Sequence, residues 1–212
     1  MVLKLHSAWR ASAPYRVRIG LNLKGLTYEQ RGVDLRTGAQ AAEAFVALNP
    51  QGLVPALEVD GVVLTQSPAI LEWLEEAYPA PSLLPDDPID RARVRAMAAL
   101  IGCDIHPLNN LRVGKALRQT FGADQAAVDA WAARWILPGF EALERMVGVH
   151  GGGWCFGAAP TLADCYLIPQ IYSARRFNVP IEAFPRLLAI DAAAGAHPAF
   201  VAAHPAQQPD AD

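Results

Sequence analysis

The sequence predicts two folded parts, a small α/β domain followed by an all-helical domain. Strand and helix patterns alternate over residues 1–78 of the 212-residue chain. Residues 79–88 (PAPSLLPDDP) then hold four prolines in ten positions, which excludes a helix interior and is typical of a linker. Beyond residue 88 the strand patterns end and helical spacing remains. The predicted domains are therefore residues 1–78 and 89–212, joined by the linker 79–88.

The first domain is predicted to run β-α-β-α-β-β-α. Gly25 and Asn49-Pro50 are typical helix ends, and Pro68 is typical of a first helical turn. Asp60-Gly61 between two short apolar runs predicts a β-hairpin. The predicted strands are 2–6, 28–35, 56–59 and 62–65, and the predicted helices are 15–24, 39–48 and 67–78.

The second domain is predicted from helical spacing alone. Apolar residues recur at Val94, Met97, Ile101, Ile105 and Leu108, and residues 126–147 form a second helical stretch. The sequence from Thr161 to Asp164 has the spacing of a capping box and is predicted to open a helix that reaches Arg176. Shorter helices are predicted at 187–194 and 198–203.

Composition excludes several classes of protein. A net charge of −3 without clustered Lys and Arg argues against nucleic-acid binding. No apolar run approaches the length of a membrane span, and the N-terminus does not resemble a signal peptide. Neither the three cysteines nor the five histidines have metal-ligand spacing, so no metal is expected. Cys103, Cys155 and Cys165 are predicted to be small buried side chains in a reducing cytoplasm.

Three motifs then resemble one family. Leu53-Val54-Pro55 stands before the hairpin, Gln66-Ser67 opens a helix, and Thr161–Asp164 forms the capping box. Together and in this order they resemble the cytosolic glutathione transferases. Residues 9–19 (WRASAPYRVRI) resemble the zeta-class signature, and residues 102–110, 161–170 and 173–177 are similar to bacterial maleylpyruvate isomerases.

The resemblance implies a glutathione transferase fold, with a thioredoxin-like first domain and a helical-bundle second domain. It implies glutathione as cofactor, a homodimer, and cis–trans isomerisation of a small dicarboxylate enone. The enone is maleylpyruvate or maleylacetoacetate, and the sequence does not choose between them. Two alternatives stay open: a glutathione transferase that conjugates or dehalogenates small electrophiles, and a non-catalytic glutathione-binding module.

The resemblance also implies a cis peptide bond before Pro55 and a glutathione site in the first domain. Ala11 and Ala13 stand where the zeta signature has Ser and Cys, so Ser12 is the one side chain left there to hydrogen-bond a thiolate. A helix N-cap is the alternative role for Ser12. The other candidates for this site are Gln40, Gln51, Val54, Gln66 and Ser67. For the three glutamines the alternative is an ordinary polar residue on the surface.

Arginine is the candidate for binding substrate carboxylates, because its planar fork makes paired hydrogen bonds with them. The chain has 15 Arg but three Lys, an excess mostly attributed to overall composition. The resemblance singles out Arg10, Arg112 and one of the pair Arg175 and Arg176, whose alternative role is a solvated charge. His106 and Asn110 are four residues apart, on one face of a straight helix, although Pro107 is expected to kink it. They are candidates for binding glutathione or substrate, within one subunit or across a dimer interface. The alternative for His106 is a purely structural role.

Overall fold

The chain begins with a four-stranded mixed sheet in a computed structural model that describes residues 2–211. The strand order is β2-β1-β3-β4, with β1 and β2 parallel and the other pairs antiparallel. The elements are β1 (Leu3–Ser7), α1 (Ser12–Leu23), β2 (Glu29–Gly32), α2 (Glu43–Leu48), β3 (Ala56–Val59), β4 (Val62–Thr65) and α3 (Ser67–Ala77).

Helices make up the regular structure after the sheet in the described part of the chain. A π-helical segment at Leu100–Ile105 and a 3₁₀ turn at His106–Leu108 interrupt the series. The α-helices are α4 (Pro88–Ala99), α5 (Leu111–Phe121), α6 (Gln125–His150), α7 (Leu162–Arg176), α8 (Pro185–Ala196) and α9 (Pro198–Ala203).

The sheet and two helices form the core of the first unit. Leu5 of β1 and Leu57 of β3 are opposite each other and completely buried. Helix α1 lies so close to α3 that a Cβ atom on Gly20 would stand 2.4 Å from Leu71 Cδ2. Glycine at position 20 therefore permits the close approach of these helices.

The chain divides into two units at positions that differ from the predicted domains. The first unit contains residues 1–82 together with 196–212, and the second contains residues 83–195. Helix α9 belongs to the first unit because α1 binds it: Arg18 Nε donates to Ala203 O at 3.0 Å and Asn22 Nδ2 to Ala199 O at 2.9 Å. The prediction that 89–212 forms one helical domain was wrong for its last 17 residues.

The predicted linker 79–88 is not a separate segment. Lys24 Nζ donates to Pro81 O at 2.6 Å, and Ser82 Oγ donates to Glu75 Oε1 at 2.6 Å, so its first part is bound to the first unit. Its last residue, Pro88, is the first residue of α4. Prolines limited the backbone here, as predicted, but side chains of the neighbouring helices determine where the segment lies.

Several predicted elements differ in length. The predicted helix 39–48 is divided by the extended residue Ala42 (φ −66°, ψ 145°) into a 3₁₀ turn and α2. The predicted strand 28–35 has four paired residues, and the helical pattern through Leu108 breaks at Leu100. Helix α5 was not predicted, although its apolar residues have helical spacing, Asn110 caps its start and the left-handed Gly122 follows its last residue.

The capping box at the start of α7 is confirmed. Asp164 Oδ2 accepts from the N–H of Thr161 at 2.7 Å and from its hydroxyl at 2.8 Å. The other oxygen, Oδ1, accepts from the N–H of Cys155 at 2.9 Å. One buried carboxylate thus fixes both the helix start and the loop that precedes it.

Candidate glutathione site

The loop between β1 and α1 carries the first candidate residues. Ala11 N–H donates to Ala8 O at 3.0 Å, which closes a tight turn. Ala11 is the N-cap of α1, so the alternative role of Ser12 as N-cap was wrong. Ser12 is the first helical residue and is buried, whereas Arg10 is exposed with its guanidinium 5.6 Å from the centre of the Trp9 ring. Ser12 thus lies where the unbonded N–H groups of α1 give a positive end.

The loop before β3 has the predicted cis peptide bond between Val54 and Pro55. Asn49, which is buried, fixes this loop: its Nδ2 donates to Leu53 O at 2.6 Å and its Oδ1 accepts from Gln51 N at 3.2 Å. The sequence analysis interpreted Asn49 as part of a helix stop. An Asn followed by Pro and Gly was the available signal for such a side-chain turn.

The start of α3 places Gln66 and Ser67 together. Gln66 precedes the helix at φ 67°, a left-handed conformation that is costly for a residue with a side chain. Its Nε2 donates to Gln51 Oε1, so two of the candidate glutamines are joined. Gln40 is half-buried and lies near the same loop, since its carbonyl would stand 3.0 Å from a Cβ atom on Gly52.

A buried arginine that sequence reasoning missed lies behind Ser67. Arg16, on α1, is 2% exposed and its Nη1 donates to Ser67 Oγ at 3.4 Å. Its charge adds to the positive N-terminal end of α3. A helix N-terminus with a hydroxyl and a buried guanidinium is suited to binding a carboxylate.

The second unit carries the remaining candidates. His106 lies in the 3₁₀ turn, whereas Asn110 is the N-cap of α5 and accepts from Val113 N–H at 3.2 Å. The two residues therefore do not share one face of a straight helix, and the interruption expected at Pro107 takes the form of the 3₁₀ turn. Trp131 Nε1 holds the turn by donating to Leu108 O at 2.7 Å.

The candidate arginines of this unit are exposed, and one has a strong partner. Arg175 Nη2 donates to Asp191 Oδ2 at 2.6 Å. Arg176 lies with its guanidinium 6.0 Å from the centre of the Tyr172 ring, and Arg112 is in the first turn of α5. Arg175 therefore already contacts a carboxylate, that of Asp191, whereas Arg176 lies against an aromatic ring.

The buried thiol of Cys155, away from these candidates, is unsuited to a nucleophilic role. Burial raises the pKa of the Cys155 thiol, and the nearby Asp164 carboxylate raises it further. A thiol held neutral in this way is a poor nucleophile. Within residues 2–211, no group of three His, Cys, Asp or Glu side chains is placed to hold a metal ion, and no helix is long and apolar enough to cross a membrane.

Comparison with known proteins gives consistent results. The family model described as the N-terminal domain of glutathione S-transferase matches residues 12–77. Over 98% of this chain and 99% of the relative, the sequence is 54% identical to a maleylpyruvate isomerase from a Ralstonia species.

Two solved structures are similar over their whole length. The first is the holo structure of a maleylpyruvate isomerase, a bacterial zeta-class glutathione S-transferase, with a TM-score of 0.97, 54% identity and coverage of 99% of this chain and 100% of that one. The second is a maleylacetoacetate isomerase from Anaeromyxobacter dehalogenans 2CP-1 with dicarboxyethyl glutathione and citrate in its active site. Its TM-score is 0.89, its identity 47%, and the match covers 100% of this chain and 94% of that one.

Proposed function

Since the chain belongs to the zeta class of the glutathione S-transferase family, we propose that it is a glutathione-dependent isomerase of maleylpyruvate or maleylacetoacetate. The reaction turns the cis double bond of either substrate into the trans form, giving fumarylpyruvate or fumarylacetoacetate. The observation that carries the proposal is the 54% identity to a maleylpyruvate isomerase over 98% of the chain. The relative with dicarboxyethyl glutathione in its active site supports it, because that compound has a sulfur joined to a dicarboxylate.

The first unit fits glutathione. The γ-glutamyl carboxylate is assigned to the start of α3, where Ser67 and the buried Arg16 stand at a helix N-terminus. The backbone of Val54, next to the cis bond, is assigned to the cysteinyl part as an added strand. The glycyl end is assigned to Gln40 and Gln51.

The N-terminus of α1 suits the formation of a thiolate. When bound, glutathione supplies a thiolate that adds to the double bond, leaves a single bond free to rotate, and is then expelled. An ordinary thiol with a pKa of about 8.5 is only about 3% ionised at pH 7. Lowering that pKa to about 6.5 makes about three-quarters of it ionised. Ser12 is assigned a hydrogen bond to the sulfur, added to the positive end of its helix.

Charge on the substrate requires cationic side chains. Both substrates carry two carboxylates, and addition of sulfur places further negative charge on the carbonyl oxygen next to the double bond. Arg10, Arg112 and Arg176 are assigned to these anionic groups, because a guanidinium binds carboxylates through paired, charge-assisted hydrogen bonds. Arg175 is left out because of its ion pair with Asp191. His106 and Asn110 are assigned to glutathione, although Asn110 also caps α5.

We extend the proposal to the assembly and its location, a homodimer in the cytoplasm. The resemblance supports both, and the three cysteines are thiols, as expected for a reducing compartment, although Cys103 is exposed and the prediction that it is buried was wrong. Light scattering on the protein eluting from a sizing column measures the assembly directly. A monomer mass would contradict the dimer without affecting the proposed activity.

One experiment tests the activity. The absorbance of maleylpyruvate and of maleylacetoacetate is followed with the protein and a catalytic amount of glutathione. We expect turnover of at least one enone without consumption of glutathione. Turnover of neither, together with rapid conjugation of a chloro-aromatic electrophile, would contradict the isomerase and favour a conjugating transferase.

A further inference from the structure

The C-terminal segment of the chain binds the loop that carries Arg10 and Ser12. Asp210 Oδ2 accepts from the backbone N–H of Trp9 at 3.0 Å, across 201 positions of sequence. The other oxygen, Oδ1, accepts from Gln30 Nε2 at 2.8 Å. The residue just before Arg10 is therefore held by a side chain from the other end of the chain.

The same residue of the loop is also bound through its carbonyl group. Trp9 O accepts from Arg18 Nη2 at 2.8 Å. Arg18 is completely buried, and it also donates to Ser7 Oγ at 2.9 Å and to Ala203 O at 3.0 Å. With both its N–H and its C=O bound, residue Trp9 cannot rotate without breaking a hydrogen bond, so the direction of the chain into Arg10 is fixed.

The segment that supplies Asp210 is itself well anchored. Gln208, which is buried, donates from Nε2 to Ala202 O at 2.9 Å and to His204 O at 2.8 Å. The Asp210 side chain lies against β2, where a Cβ atom on Gly32 would stand 3.2 Å from Asp210 Cβ. Such an ordered tail holds the carboxylate at a constant position relative to the loop.

We infer that Asp210 is a positioning residue of the isomerase, which sets the loop of residues 8–12 so that Ser12 and the start of α1 face the glutathione sulfur. This inference rests on the proposed function for its substrate. It assigns no contact between Asp210 and either glutathione or the enone. A small misplacement of a group that stabilises charge is costly, because about 1 Å can change a rate about 100-fold.

Three variants test this role. Asp210→Ala removes both hydrogen bonds. Asp210→Asn keeps a carbonyl oxygen that accepts from the Trp9 N–H, and its amide can donate to Gln30 once the Gln30 amide turns to present its oxygen. Gln207→Ala is the matched control, because Gln207 is exposed and three residues away on the same segment. The measurements are kcat/KM, the pH titration of the bound glutathione thiol by its ultraviolet absorbance, and hydrogen exchange of the loop without glutathione.

In Asp210→Ala we expect faster exchange in the loop and a loss of about 10- to 100-fold in kcat/KM. We also expect a rise of about one unit in the pKa of the bound thiol, since that equals a tenfold change in the ionisation equilibrium. Asp210→Asn should bring the loop exchange rate, kcat/KM and the thiol pKa most of the way back to those of the unmodified chain. Gln207→Ala should match the unmodified chain in all three. If Asp210→Ala does not fold, Gln30→Ala, which removes the support of Oδ1, should show the same three changes to a smaller degree.

One outcome for Asp210→Ala would contradict the inference. Lower thermal stability with an unchanged thiol pKa and kcat/KM within about two-fold would mean that Asp210 has only a structural role, and the inference would be wrong. If the unmodified chain isomerises neither enone, the proposed function fails instead. The thiol titration and loop exchange still test the positioning role in that case, because they need no enone.

Discussion

Replacing Asp164 with alanine should destabilise the protein far more than removing a comparable carboxylate at an exposed helix start. Asp164 is completely buried, and it accepts from the N–H groups of Thr161 at 2.7 Å and Cys155 at 2.9 Å. In Asp164→Ala both N–H groups lose their acceptor inside the protein. Since each such group costs roughly 1–3 kcal/mol, we expect a loss of about 4 kcal/mol in the free energy of unfolding.

Asp87 provides the matched control. It caps α4 by accepting from Ile89 N–H at 2.9 Å and Asp90 N–H at 3.0 Å, but it is exposed, so water can replace it. Loss of an exposed cap costs about 1 kcal/mol. Thermal unfolding followed by circular dichroism, at one protein concentration, measures both. At about 2–4 °C per kcal/mol for a chain of this size, we expect Tm to fall by about 8–16 °C in Asp164→Ala and about 2–4 °C in Asp87→Ala. Equal shifts would refute the argument from burial.

The same carboxylate gives a pH dependence of stability. Burial raises the pKa of Asp164 above its ordinary value of 3.8, although hydrogen bonds from Cys155 and Thr161 lower it. Because the folded pKa is above the unfolded one, the group's contribution is greatest below the unfolded pKa and falls as pH rises through the folded pKa. The stability lost in Asp164→Asn should therefore be larger in acid than at neutral pH. A penalty that grows as pH rises would contradict the direction of the shift.

Three other variants have definite expected results. Ser12→Ala should raise the pKa of the bound glutathione thiol and lower kcat, and an unchanged thiol pKa by ultraviolet titration would remove Ser12 from the mechanism. Arg176→Ala should raise KM for the enone about 10- to 100-fold, because it removes about 1.5–3 kcal/mol of charge-assisted hydrogen bonding. Arg175→Ala should leave KM unchanged. Steady-state kinetics measure both variants, and the reverse result would show that the assignment is wrong. Lys24→Met should lower the free energy of unfolding, measured in urea, by about 3–5 kcal/mol, because it leaves the Glu75 carboxylate buried without its cation. Adding Glu75→Leu should restore most of that loss. No recovery in the double variant would mean that the ion pair itself is the source of stability.

Three short elements were predicted from the sequence to the residue. The strands at 56–59 and 62–65 and the helix at 198–203 have the bounds that the hairpin and proline signals indicated. In each of them the deciding interactions lie within a few residues of sequence. Helix α5 had short-range signals as well, Asn110 at its start and Gly122 after its end, and they were missed.

Interactions between distant parts of the chain explain the errors in domain organisation. The carbonyl of Ala203 is bound by Arg18, 185 positions earlier, and no pattern of periodicity contains that information. The predicted boundary followed a change in local composition, from alternating patterns to helical spacing. The segment 196–212 shares the helical composition of the second unit but packs with the first.

The candidate site divides in the same way. The cis bond before Pro55 and the position of Ser67 at the start of α3 were predicted from motifs and are confirmed as structural features. The left-handed backbone of Gln66 was not predicted, and the loop bonds of Asn49 were missed although they lie within four residues of sequence. Motifs identify where a site lies; tertiary contacts determine how it is oriented.

The arginine excess shows why composition alone misleads. From the sequence, Arg10, Arg112 and one of the pair Arg175 and Arg176 were assigned functional roles, and the other arginines were attributed to overall composition. Arg16 and Arg18 contradict that division, because both are almost completely buried and bind neutral oxygens: Arg16 donates to Ser67 Oγ, and Arg18 donates to Ser7 Oγ, Trp9 O and Ala203 O. Lysine could not replace Arg18, since one ammonium group cannot reach three acceptors that lie in different directions. The buried arginines therefore hold the loop that carries Arg10 and leads to Ser12, and they contact the start of α3.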